Sequence, residues 1–178
     1  MGILIIVLTV LVSAAAVVFA VVRHSRKTEM LRCRVAAANL IREELLNYSL
    51  NNPLNKSGAD APCETRCMIY IKTINAVKKQ KFVFIADKTV SVGRDAEQSN
   101  VYINDNSVSK KHCLIFARNN EVYIKDLGSN NGFCVQRGLF GSYQIGSGET
   151  IRLKDNDTLI ICSAELKIKL FCFNINDL

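Results

Sequence analysis

Hydrophobic positions change their period twice along the chain. Residues 2–22 read GILIIVLTVLVSAAAVVFAVV, an uncharged run of about the 20 residues that an α-helix needs to cross the hydrocarbon of a bilayer. Beyond it, from residue 28 to about 48, Leu31, Val35, Ala38, Ile41 and Leu45 recur at helical spacing, with Arg42, Glu43 and Glu44 left for the opposite face. This predicts a helix that continues out of the apolar run. Its stripe drifts off a strict heptad, so it fits docking onto a folded domain or onto a bilayer surface as well as a homodimer seam. Residues 49–62 lose all periodicity and collect Asn51, Asn52, Pro53, Asn55, Ser57, Gly58 and Pro62, the composition of a linker.

From Met68 the period falls to two. Short runs rich in β-branched and aromatic residues follow one another: MIYIKTI, KFVFIA, KTVSVG, NVYIN, HCLIFAR, EVYIKDL, FCVQR, ETIRL, DTLIICS and ELKIKLFCF. Turn signals such as Asn119-Asn120, Gly128-Ser129 and Asp155-Asn156-Asp157 punctuate them at the interval expected of a β-sandwich. Residues 139–147 read as a longer loop. The expected organisation is a transmembrane helix over 1–22, a juxtamembrane helix over 23–48, a linker over 49–66 and an all-β domain over 67–178. No glycine-rich loop opens a helix and no βα alternation occurs, which argues against nucleotide-binding α/β folds.

With 178 residues and 49% hydrophobic composition, the chain has room for one domain with a substantial core plus an accessory segment. The formal charge of +7 favours anionic partners without choosing among phosphopeptide, lipid headgroup and nucleic acid. Charge placement says more. A cleavable signal peptide carries its positive charge before the apolar run, whereas here Arg23, Arg26, Lys27, Arg32 and Arg34 follow it. By the positive-inside rule the anchor passes once through the cell membrane and leaves everything after Val22 on the cytoplasmic side. Seven cysteines fit that reducing compartment, because Cys113, Cys134, Cys162 and Cys172 lie in apolar runs where a thiol serves as a small hydrophobe.

Three polar islands stand beside the predicted strands: Gly93-Arg94, Ser109-Lys110-Lys111-His112 and Ser129-Asn130-Asn131-Gly132. Together they hold a fork-shaped cation, a hydroxyl donor and an amide, the parts needed to grip a phosphate ester and its flanking backbone. Their order and setting, within VSVGR, VSKKH and DLGSNNG, resemble the forkhead-associated (FHA) domain, and Lys154-Asp155-Asn156-Asp157 resembles a late turn of that family with Asn156 in place of glycine. The resemblance covers roughly residues 67–173. It implies an FHA-type sandwich of about eleven strands that binds phosphothreonine peptides through the loops at one end. In that family the positions of Arg94 and Ser109 contact the phosphate, Lys110 adds charge or a backbone contact, and Asn131 clamps the peptide main chain. Asn130 stands where threonine is common. Gly93, His112 and Gly132 support the site, His112 by holding the serine loop, and Gly93 is expected to give the chain freedom for a sharp departure.

The function implied is a membrane-tethered phosphothreonine-binding adaptor whose partner is a membrane Ser/Thr kinase or its substrate. The alternative is a phospho-independent FHA scaffold in a secretion or cell-envelope assembly. Catalysis is not expected, since the chain's two histidines, His24 and His112, fall in the basic flank and the support position. No metal or cofactor is expected either: Cys63 and Cys67 have three residues between them and no second pair nearby. Scattered lysines without an aromatic platform argue against nucleic acid.

Overall fold

A computed structural model describes residues 2–51, 65–75 and 79–174. One helix, α1 (Gly2–Asn51), precedes eleven strands: β1 (Thr65–Thr73), β2 (Lys81–Ile85), β3 (Val90–Gly93), β4 (Val101–Tyr102), β5 (Cys113–Arg118), β6 (Glu121–Asp126), β7 (Phe133–Arg137), β8 (Gly141–Ile145), β9 (Thr150–Arg152), β10 (Thr158–Ile161) and β11 (Ala164–Asn174). They form two sheets, one ordered β2-β1-β11-β10-β7-β8 and the other β4-β3-β5-β6-β9. All pairings are antiparallel except that of β3 with β4. Alternation along each strand sends one set of side chains between the sheets. Ile69, Ile71, Val135, Leu159, Leu166 and Ile168 from the first meet Val92, Cys113, Ile115 and Ile124 from the second in a single core.

The β2-β1-β11 part of the six-stranded sheet is also covered on its other face. Met68, Ile85 and Phe173 point away from the sandwich and pack against Ala37 and Ile41 of α1. A strand buried on both faces needs no polar alternation, which accounts for the nearly continuous MIYI of β1. The helix lies antiparallel to β1. Lys72 Nζ donates to Glu29 at 2.7 Å near one end, while Arg66 and Lys88 each reach Glu44 at 2.9 Å near the other.

Three expectations change. First, α1 docks through Cys33, Ala37 and Ile41, so the buried face is rotated from the Leu31–Val35–Ala38–Ile41–Leu45 stripe. Leu31 and Val35 stand 64% and 54% exposed, Ala38 is half-buried, and the side chain of Leu45 lies outside the described residues. Small side chains at 33 and 37 allow close approach to the sheet, and the Glu29 and Glu44 pairs fix the rotation, neither of which an apolar count registers. Second, residues 139–147 are not a loop, because β8 lies there and forms a hairpin with β7. Its middle residues Ser142, Tyr143 and Gln144 are exposed at the sheet edge, so the apolar alternation that signals a strand is missing. Third, β1 begins at Thr65 and α1 runs unbroken to Asn51, so any linker is confined to residues 52–64, outside the described residues, as is Cys63.

Truncating a fully buried isoleucine removes roughly 2–5 kcal/mol of packing. Ile41→Ala is therefore expected to undock the second half of α1, read as lost amide-exchange protection between residues 33 and 44 with the strands unchanged; unaltered protection there would contradict this packing.

Candidate functional site

The loops β3–β4, β4–β5 and β6–β7 gather at one end of the sandwich, joined by specific bonds. The Arg94 amide donates to Ser109 O at 3.1 Å and the Asp95 amide to Lys110 O at 3.3 Å, which sets the first two islands side by side. Gly93 sits at that crossing. A Cβ there would stand 2.1 Å from Lys110 O, and its φ is not in the left-handed region, so close backbone approach, and not the freedom for a sharp departure, is what demands glycine.

His112 joins the second island to the third. It is fully buried immediately before β5, with Nδ1 accepting the Ser109 amide at 3.3 Å and Nε2 3.0 Å from Gly132 O. Those partners require the neutral tautomer with its proton on Nε2. Gly132, at φ +62, packs so tightly that a Cβ would meet Ile145 O at 2.4 Å.

Asp126 organises the rest of the third loop. Its Oδ1 accepts the amides of Gly128 (2.8 Å) and Ser129 (2.7 Å), its Oδ2 accepts the Ser129 hydroxyl at 2.6 Å, and Ser129 Oγ accepts the Gly132 amide at 2.9 Å. Both side chains are buried, and neither was assigned a role from the sequence, although an acidic residue two and three positions before free amides is a recognisable turn signature. Burial, followed by the charge of Asp126, pushes the neighbouring Cys113 thiol well up, so it stays protonated and inert.

Asp105 fastens the β4–β5 loop. It accepts the Ser107 amide at 2.8 Å and hydroxyl at 2.5 Å, and also the Ser163 hydroxyl from the β10–β11 turn. These bonds, the Ser107 hydroxyl first, lower its carboxyl from 3.8 to about 2. In the same turn the Cys162 thiol donates to Ser107 O at 3.2 Å.

What remains unengaged is as informative. Among the described residues, the Arg94 guanidinium, the Lys110 and Lys111 ammoniums, the Ser109 hydroxyl and the Asn130 amide form no hydrogen bond or ion pair, and all but half-buried Ser109 are exposed. Asn131 is divided. Its Nδ2 donates to Ser107 O at 2.9 Å and lies 3.8 Å from Cys162 Sγ, which leaves Oδ1 to accept from outside. The loops thus bring Arg94, Ser109, Lys110, Asn130 and Asn131 to one surface over Gly93, His112 and Gly132. Such a surface can hold a doubly charged phosphate ester by charge-assisted donors and can accept one main-chain N–H beside it.

The FHA domain family matches residues 90–162, from β3 to the β10–β11 turn. The chain carries an FHA domain. Solved structures similar to it include the FHA domain of the CT664 protein from Chlamydia trachomatis, 24% identical over 58% of this chain and 96% of that one, with a TM-score of 0.48. An Arabidopsis thaliana FHA domain is 20% identical over 67% and 96% of the two chains, at 0.49. Mycobacterium tuberculosis EmbR, in complex with a low-affinity phosphopeptide, is 24% identical over 57% of this chain and 24% of its own, at 0.46. No curated protein matches the chain.

Removing the imidazole strands two buried backbone groups, at about 1–3 kcal/mol each. His112→Ala is expected to destabilise the sandwich by about 2–4 kcal/mol in denaturant titrations, and a loss within 0.5 kcal/mol would show that the joint is dispensable. The Asp105 carboxyl has a lower pKa folded than unfolded, so its contribution is complete above about pH 4 and is lost as pH falls through about 2. Protection of the Ser107 amide relative to its intrinsic exchange rate should accordingly hold down to about pH 4 and fall only below it, and a loss of protection setting in near neutrality would contradict the fastening.

Proposed function

We propose that this protein is a membrane-tethered adaptor that binds phosphothreonine peptides of a kinase-signalling partner. The observation that carries the reading is the unpaired Arg94 guanidinium, exposed beside the free Ser109 hydroxyl while every supporting polar group around it is satisfied internally. A scaffold that had abandoned phosphate would have no need to keep a cation and a hydroxyl unengaged on adjoining loops. In the proposed complex Arg94 and Ser109 donate to phosphate oxygens, Lys110 adds charge, and Asn130 offers an amide at the phosphate's flank. Asn131 Oδ1 accepts a peptide N–H, while its Nδ2 stays on Ser107 and fixes the side chain. Phosphothreonine supplies the doubly negative ester this arrangement suits.

The anchor is the first half of α1. This helix is long and apolar enough to cross a membrane, with residues 6–22 exposed throughout. Arg23, Arg26 and Lys27 follow directly, a charge placement that supports a single-pass membrane protein with its FHA domain on the cytoplasmic side. The expected partners are a membrane Ser/Thr kinase or its phosphorylated substrate, and tethering both to one leaflet lets modest affinity suffice.

Calorimetric titration of the full chain in lipid nanodiscs with a degenerate phosphothreonine peptide library tests the reading. Binding should vanish with unphosphorylated peptides. Arg94→Ala removes two charge-assisted bonds of about 1.5–3 kcal/mol each and should weaken binding at least about 100-fold, and Asn131→Ala about tenfold. Undiminished affinity of the Arg94 variant would sink the proposal.

A further inference from the structure

The bonds that connect α1 to the site fix which way the site points. Helix α1 runs antiparallel to β1, with Glu29 at Lys72 and Glu44 at Arg66, so the Thr73 end of β1 lies toward the apolar half of the helix. Beyond Thr73, Asn75 binds the β10–β11 turn, its Nδ2 donating to Ser163 O at 2.5 Å and its Oδ1 accepting the Glu165 amide at 2.9 Å. That turn holds the site loops, through Ser163 to Asp105 and Cys162 to Ser107, with Ser107 O also bound by Asn131. A path of hydrogen bonds and short backbone segments therefore links the membrane-side end of the docked helix to the candidate ligand loops.

The heights agree. Val22 precedes Glu29 by about 10 Å of helix. Thr73 pairs with Leu166, and the turn at Ser163 lies about 10 Å further along the strand in the same direction. The loops carrying Arg94, Ser109 and Asn131 thus lie level with the end of the apolar segment and with Arg23, Arg26 and Lys27. The opposite end of the sandwich, level with Glu44, stands about 33 Å from Val22 along the helix.

We propose that the phosphopeptide site faces the bilayer, and that its partner is a membrane-embedded protein carrying the phosphothreonine within about ten residues of its own membrane segment. This rests on the function proposed above and narrows it. A phosphorylated loop distant from the membrane would have to bend back to the headgroup level, whereas a juxtamembrane segment leaves its bilayer at that level already. The basic residues after Val22 and the free Lys110 and Lys111 surround the approach with positive charge, which favours a phosphate arriving along the leaflet.

Two arms test the proposal on the full chain in nanodiscs. In one, a fluorescent amino acid replaces Lys111, in the site loop, or Phe140, at the tip of the β7–β8 hairpin at the other end, and the lipids carry headgroup nitroxides. Quenching at least several-fold stronger at position 111 is expected, and equal or stronger quenching at 140 overturns the orientation. In the other arm the phosphothreonine library is lipid-anchored through a spacer of about six or about forty residues; the short one reaches only about 20 Å. The short-spacer probe should bind at least as tightly as the long one, and tenfold weaker binding overturns the proposal. If neither probe binds, phosphothreonine recognition itself fails while the quenching still reports the orientation. Loss of probe binding on changing from zwitterionic to phosphatidylglycerol nanodiscs would mean that anionic headgroups occupy the site, and would overturn the peptide reading.

Discussion

The buried imidazole of His112 is the constraint on which the candidate ligand surface depends. Its two ring nitrogens hold Ser109 on one loop and Gly132 on another, and its own amide returns to Val92 O at 2.9 Å. Because the ring is fully buried, both bonds form in a medium where leaving either group unpaired is costly, so the loops have one arrangement and not several. Gly93 makes the same demand sterically, its missing side chain letting the Lys110 carbonyl approach. Asp126 makes it a third time, by absorbing the amides and hydroxyl of the 127–132 turn. With the framework groups satisfied among themselves, the residues left over are the ones proposed to meet a ligand.

A second constraint is the outer face of the six-stranded sheet. Met68, Ile85 and Phe173 would be exposed to water without Ala37 and Ile41, so the helix is part of the fold and not an appendage. Because that helix also leads toward the apolar segment, packing and placement are coupled: the contacts that bury the sheet also set the height and direction of the loops. The domain hangs back alongside its own stalk. Under the proposed tethering, local concentration at a membrane surface would favour partners whose phosphosites lie at the same height.

Much of this was legible in the chain. Alternation located ten of the eleven strands, and the turn signals hold up in detail, with Asn119, Asn120 and Asn156 all adopting positive φ. The three islands do meet at one end. What escaped has physical reasons. Strand β8 is a polar edge strand held by its hairpin partner, so it leaves no apolar signature. The docked face of α1 is written in small residues and in two glutamates whose partners lie on β1 and in the turn after β2, distant in sequence. The importance of Asp126 and Ser129 comes from burial, which one sequence does not disclose, and the need for Gly93 arises from the carbonyl of Lys110, distant in sequence.

The central proposal is that Arg94 is a phosphate ligand of a site whose framework groups are bonded to one another. Nitrogen-detected NMR of the arginine side chains, in the full chain in nanodiscs, reads that guanidinium directly. On addition of phosphothreonine peptides the Arg94 Nε–H resonance should shift and its exchange with water should slow, while Arg137, already paired with Asp157 at 2.7 Å, stays unmoved. An Arg94 signal that neither shifts nor gains protection at saturating peptide would contradict the account.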